Sequence, residues 1–191
     1  DYVNPDNLYR YRDSQCGVFA STKVLQMYNV PFSYIENCDI EDPVFDEGFR
    51  KFLAVVSTIK AFSGMRIGQI GTRPNPFASV KVNEIELLQK FGIEIVPITM
   101  QDLVEKIEKL KKSEPDRIRE EADSMQAIYQ LDGGTTYDHL KKAAALKLSV
   151  EDWAIEENLS AAVAMCWGPM IEATGIAPCF VLGDVCDDGF P

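Results

Sequence analysis

Histidine and basic residues are scarce in this 191-residue chain, and their scarcity excludes several classes of function. The single histidine, His139, lies in the lysine-rich segment YDHLKK, so it is better interpreted as a surface helix residue than as the base of a Ser-His-Asp or Cys-His site. Lys and Arg number 19 against 30 Asp and Glu, which gives a formal net charge of −11. Because such a chain repels phosphate backbones, we expect no nucleic-acid partner.

Long apolar runs and paired cysteines are also missing. No stretch reaches the roughly 18 apolar residues that a membrane helix requires, and the N-terminal residues have neither the basic nor the apolar region of a signal peptide. The five cysteines are odd in number, widely spaced and never in a CxxC pair, so neither a disulfide framework nor a zinc ribbon is indicated. We therefore expect no membrane partner and a reducing, cytoplasmic location.

The common cofactor and nucleophile motifs are absent. The chain has no Walker lysine motif, no G-x-S-x-G elbow and no H-E-x-x-H pair. Glycines at 64, 68 and 71 surround a predicted strand instead of following it, which argues against NAD binding. The acidic cluster Asp184, Asp187 and Asp188 does not have calcium-loop spacing, so N-cap and turn roles are predicted for it. No catalytic or metal-ligating residue is assigned.

What the chain does contain is an alternation of helical and strand-like patterns. Apolar spacing predicts helices over 16–28, 46–62, 82–91, 102–110 with a polar continuation to about 130 interrupted near Pro115, and 137–153. Short apolar runs predict strands at 32–36, 66–70, 93–99, 160–166 and 179–183. The alternation predicts an α/β fold with a doubly wound, mainly parallel sheet and flanking helices, a three-layer Rossmann-like or flavodoxin-like arrangement.

Two segments follow predicted strands and therefore fall at the carboxyl edge of the sheet, where open α/β sheets bind ligands. The first is the loop GTRPNPF at 71–77, whose two prolines restrict Arg73 and Asn75. Arg73 could contact carboxylate or hydroxyl oxygens of a ligand, or pair structurally with Glu84 or Asp102. The sequence leaves both interpretations open.

The second segment is Cys166-Trp167, at the end of the predicted strand 160–166. A tryptophan at that edge could stack against a sugar ring. The alternative, that Trp167 covers the hydrophobic core, is slightly favoured.

Three stretches of the sequence resemble the L-fucose/L-arabinose isomerase-like family. Residues 64–103, with RIGQIGTRPNPFAS, then NE, then FGIE, are similar to the family's strand, loop, helix and strand. Residues 161–191 are similar to its strand, Cys-Trp, helix, G-I-x-P-C and D-x-G-x-P segments, and residues 10–36 are similar to the segment between its first and second domains. Stretch 112–158 matches only as helices.

The resemblance implies a metal-dependent ketol isomerase of carbohydrate metabolism that interconverts an aldose and its ketose. It implies that residues 1–62 join or complete a first domain and 63–191 form a middle α/β domain, while the catalytic domain and its manganese ligands lie beyond Pro191. The chain alone would then hold no cofactor and be inactive, and the whole protein would be a homo-oligomer. The family pattern carries sugar contacts over to a set of residues at the sheet edge, namely Arg73, Asn75, Glu84, Cys166 and Trp167.

One departure and two other functions are weighed against this interpretation. Met165 stands where the family pattern favours a polar residue, which argues against simple sugars such as fucose or arabinose as the substrate. A non-catalytic sugar-binding or small-ligand-binding α/β domain is the first alternative. The second is an acidic scaffold for subunit assembly, which an exposed apolar patch would support.

Overall fold

The computed structural model describes residues 14–191, so the first residues of the 10–36 stretch lie outside it. The chain divides into two compact units, Asp1–Ala61 and Phe62–Pro191, which are described separately. The described part of the chain contains no helix that is long and apolar enough to cross a membrane.

The described residues of the first unit form two helices, α1 (Ser14–Met27) and α2 (Pro43–Phe62), as the apolar spacing predicts. Helix α2 extends one residue past the unit boundary. The strand predicted at 32–36 is wrong, because these residues have no regular structure. A strand needs a neighbour for its backbone N–H and C=O groups, and the described residues of this unit contain none. Ile35 packs on α2 at Gly48 instead, where an added Cβ would lie 2.9 Å from its side chain.

The second unit is built on a three-stranded parallel sheet, and three of the predicted strands are confirmed. They are β1 (Arg66–Ile70), β2 (Glu94–Ile98) and β3 (Ala161–Ala164), in the order β2-β1-β3. The helices of this unit are α3 (Glu84–Phe91), α4 (Met100–Ser113), α5 (Pro115–Ile128), α6 (Tyr137–Glu156), α7 (Pro169–Thr174) and α8 (Cys179–Asp187).

The connections explain why the sheet is doubly wound. The chain moves from β1 to β2 through α3, and then returns past β1 to β3 through α4, α5 and α6. Because parallel crossovers are right-handed, moves in opposite directions place their helices on opposite faces. The predicted α/β class is therefore confirmed.

The segment 179–183 is helical, so the strand predicted there is wrong. Residues 179–187 form α8, in which Val181 and Val185, one helical turn apart, are buried in the core. The five residues CFVLG are too few to show whether their apolar spacing is that of a strand or that of a buried helical turn. Val181 and Val185 are four residues apart and both buried, which is the spacing of one face of a helix.

The core of this unit is formed by residues of β1, β2 and the helices α4 to α8, and α6 contributes the most. Eleven residues of α6 are buried, including Leu146 and Trp153. Trp153 lies over β1 at Gly68, where an added Cβ would be 2.6 Å from the indole. Glycine is therefore required at this position of the strand so that α6 can approach the sheet closely.

Candidate functional site at the carboxyl edge of the sheet

The loop after β1 is held in shape by its own arginine. Gly71 begins it with φ 72°, a left-handed conformation that favours glycine. The Arg73 guanidinium then donates from Nη1 to the backbone oxygens of Pro74 at 3.1 Å and Asn75 at 2.9 Å. The Phe77 amide closes the turn by donating to the Pro74 oxygen at 3.0 Å. Arg73 therefore fixes the conformation of the loop.

The chain after β3 reaches the same edge of the sheet. The Met165 amide donates to the Ile70 oxygen at 3.0 Å, which extends the β1–β3 pairing by one bond. Trp167 follows and lies against Phe77, with the ring centroids 5.0 Å apart and the planes at 59°. This contact joins the two loops, so the prediction that Arg73 and Trp167 share an edge is confirmed.

A cavity of about 680 Å³ opens between the two loops, large enough for a monosaccharide. Four of the five predicted site residues line it: Arg73, Glu84, Cys166 and Trp167. The fifth, Asn75, does not line the cavity, and its backbone oxygen bonds to Arg73. The structure therefore brings four of the five predicted residues together around one cavity. The role of these residues in sugar binding stays a prediction.

Charges of both signs face this cavity. Arg73 and Lys81 are its cationic side chains, and Glu84, in the first turn of α3, is its carboxylate. Arg73 forms no ion pair with a described residue, so the predicted alternative of a structural pair with Glu84 or Asp102 is wrong. Asp102 instead bonds to Thr99 at the start of α4.

The two residues that flank Cys166 differ in their surroundings. Trp167 is 55% exposed, so it does not cover the core. The alternative interpretation of Trp167 as a residue that covers the hydrophobic core is therefore wrong. Met165 is half-buried and lines the cavity, where its sulfur lies 3.9 Å from the Thr72 hydroxyl. The departure from the family pattern at 165 thus places an apolar, polarisable side chain in the cavity wall.

A second cavity, of about 610 Å³, lies between the start of α6 and the start of α8. The edge-to-face pair Tyr129 and Phe180 lines it, with ring centroids 4.9 Å apart, together with Asp132 and His139. His139 is exposed in the first turn of α6, where its Nδ1 accepts from the Thr136 amide at 3.3 Å. It therefore completes a capping box for α6, consistent with its predicted place on a surface helix.

A buried ion cluster at Lys147 has no counterpart in the sequence predictions. The Lys147 ammonium, on a side chain 8% exposed, lies 2.8 Å from Glu121, 2.7 Å from Asp184 and 2.6 Å from Asp188. Burial lowers the pKa of Lys147, but the close contacts of its ammonium with the three carboxylates outweigh burial, and the pKa is raised overall. The turn and N-cap roles predicted for Asp184 are therefore wrong.

Tyr129 extends this cluster, because its hydroxyl donates to Asp184 Oδ1 at 2.5 Å. The other oxygen, Oδ2, has the ion contact to Lys147 but no hydrogen bond of good geometry among the described residues. The cluster links α5, α6 and α8 across the core. A lone lysine inside the apolar run AAALKLSV was the available sequence signal for it.

The described residues do not fit a manganese centre. Across residues 14–191, no group of three or more His, Cys, Asp or Glu side chains comes together in a way that could hold a metal ion. The cavity at the sheet edge offers one carboxylate, Glu84, and one thiol, Cys166, among its lining residues. We therefore assign no chemical step to a metal here.

Two comparisons with known proteins bear on the chain. The family described as fucose/sulfoquinovose isomerase, N-terminal domain, matches residues 1–63. A sulfoquinovose isomerase of Alkalicoccus urumqiensis is 22% identical over 176 residues, which make up 92% of this chain and 39% of that protein. The chain thus spans less than half of the length of that relative. Both findings support a fucose isomerase-like family.

Proposed function

We propose that this chain, as a fucose isomerase-like protein, is part of a sugar isomerase that interconverts an aldose and its ketose. The observation that carries the proposal is the cavity at the carboxyl edge of the sheet, where Arg73, Glu84, Cys166 and Trp167 converge. The resemblance to the isomerase family predicts the same four residues as sugar contacts. The relative's activity on sulfoquinovose supports the same reaction class.

The chain's share of the reaction is to bind and orient the sugar. Aldose–ketose isomerisation moves a hydrogen from C2 to C1 and a proton from the C2 hydroxyl to the C1 oxygen, so nothing is oxidised overall. Trp167 offers an apolar surface for the carbon face of a sugar, while Arg73 and Glu84 can bond to its hydroxyls. Groups that polarise the carbonyl, with Mn²⁺ as the proposed cation, belong to residues outside the described part.

Sulfoquinovose is the first sugar to test, because its sulfonate is an anion and the cavity presents two cations, Arg73 and Lys81, in a chain of net charge −11. A planar guanidinium suits an oxyanion. Neutral fucose and arabinose are the matched comparison, because Met165 gives the wall an apolar group where their hydroxyls would need a polar partner.

The experiment compares this 191-residue chain with a version extended beyond Pro191, each supplied with Mn²⁺ and a panel of sulfoquinovose, L-fucose and pentoses. We expect the extended protein to convert at least one aldose and the shorter chain to convert none. If neither form converts an aldose while both bind one, the chain is a sugar-binding domain. If neither binds any sugar, the proposal is wrong.

Subunit assembly is a second candidate function, favoured by the apolar face of α2. None of the residues of α2 is buried, and Phe49, Phe52 and Val56 are each about two-fifths exposed. Apolar surface of this kind marks contacts with other chains. We propose that the intact protein is a homo-oligomer, and sedimentation of the protein with and without Phe52→Glu tests whether α2 contributes.

A further inference from the structure

The aromatic contact between the two loops of the cavity has no role in the function proposed so far. Phe77 belongs to the loop after β1 and Trp167 to the loop after β3, and their rings are 5.0 Å apart. Both line the cavity, yet both are substantially exposed, at 37% for Phe77 and 55% for Trp167. An exposed pair of this geometry is stabilised by ring–ring attraction as well as by burial.

The loop that carries Phe77 is restrained by more contacts than the loop that carries Trp167. Phe77 ends a loop that contains Pro74 and Pro76, that is closed by the Phe77 amide and that is bridged by Arg73. Proline fixes the φ angle of each such residue, so the position of Phe77 is largely set by the loop itself.

Trp167 has fewer restraints within its own loop, where its backbone oxygen accepts a hydrogen bond from the Met170 amide at 3.3 Å. It precedes Gly168, whose φ of 44° and ψ of −96° lie in a region that glycine alone adopts readily. The Met170 bond and Pro169, which begins α7, restrain the backbone of this loop but do not contact the indole ring. Phe77 is the aromatic ring that contacts it.

We propose that Phe77 is a positioning residue that holds the Trp167 indole in the wall of the cavity, and that Arg73 acts through the loop that carries Phe77. The inference rests on the proposed sugar binding, because its purpose is to present the indole to the sugar. A preorganised aromatic surface saves the entropy of ordering that side chain when the ligand binds. Arg73 Nη1 is already committed to two backbone oxygens, which fits a role in shaping the loop.

The test combines sugar binding with fluorescence, because the two tryptophans differ sharply in exposure. Trp167 is 55% exposed and Trp153 3% exposed, so acrylamide quenching reports on Trp167, with Trp167→Phe as the blank. Phe77→Ala should increase that quenching and raise the dissociation constant for the sugar about three- to tenfold. Phe77→Tyr should restore both values.

Phe91→Ala is the matched control. Phe91 is 43% exposed and pairs with Phe62 at a centroid distance of 5.3 Å, outside the cavity lining. It should change neither quenching nor sugar affinity. Arg73→Lys keeps the charge but lacks the guanidinium fork, so it should also increase Trp167 quenching if Arg73 acts through the loop.

The possible results separate this inference from the proposed function. Unchanged quenching in Phe77→Ala overturns the positioning role, whatever the sugar assays give. Increased quenching with unchanged sugar affinity also overturns it, because the indole would then move without consequence for binding. If the unaltered protein binds no sugar, the proposed function fails first, and the quenching result alone still decides whether Phe77 holds Trp167.

Discussion

Two helices of equal length, α2 and α6, differ completely in burial. Each has 20 residues, but α6 buries eleven of them and α2 buries none. Both carry many apolar side chains, including Leu53 on α2 and Leu146 on α6, which are 45% and 1% exposed. An apolar face therefore indicates that a helix is able to pack against other elements. Whether that face is buried depends on which neighbours the rest of the fold provides.

The comparison extends to charged residues on the same helices. Lys51 on α2 is exposed, whereas Lys147 on α6 is enclosed by Glu121, Asp184 and Asp188. A buried charge requires partners, and removing one member of such a group leaves the others uncompensated. The contrast between α2 and α6 can therefore be tested with matched pairs of substitutions.

The largest effect is expected from Lys147→Met. The change leaves three carboxylates facing one another around a buried Asp184, so it should lower the free energy of unfolding by about 3–5 kcal/mol. Urea unfolding followed by circular dichroism measures this difference. Lys51→Met, the control on α2, should stay within about 0.5 kcal/mol of the unaltered chain. Equal effects of the two changes would show that the Lys147 cluster does not stabilise the fold.

A second pair compares apolar burial directly. Leu146→Ala should cost about 2–5 kcal/mol, because it removes a fully buried side chain and leaves a cavity in the core. Leu53→Ala, at a site where nearly half of the side chain is already exposed, should cost about 1 kcal/mol or less. The same urea titration measures both. A large loss for Leu53→Ala would mean that α2 is covered in solution, for instance by a second copy of the chain.

Much of the fold could be predicted because its elements have a clear period or clear boundaries. β1 lies between Gly64 and Gly71, and α4 and α5 meet at Pro115, all visible in the sequence. The segments 32–36 and 179–183 were wrongly predicted to be strands, because a stretch of five residues fits either a strand or another conformation. Their actual structure depends on neighbours that the local pattern does not contain.

The site was predictable to a similar degree. The edge position of Arg73 and Trp167 follows from parallel strands ending together, so strand order was enough to bring them near each other. That Arg73 bonds to its own loop depends on backbone turns that no residue pattern specifies. The Lys147 cluster depends on three helices meeting, so the partners of the lysine could not be read from its own helix.

The smallest effect expected is a dependence of stability on alkaline pH through Tyr129. The hydrogen bond to Asp184 and burial raise the pKa of Tyr129 to about 12, from an ordinary value near 10. Because the folded state holds the phenolic proton more tightly, this contribution is fully present below pH 10 and is lost as the pH rises toward 12. Urea midpoints of the unaltered chain should therefore fall more steeply over that interval than those of Tyr129→Phe, which has no proton to lose. Tyr34→Phe is the control, because Tyr34 is 63% exposed and lies outside the Lys147 cluster. Parallel curves for the unaltered chain and Tyr129→Phe would show that the hydroxyl does not contribute to the stability of the buried cluster.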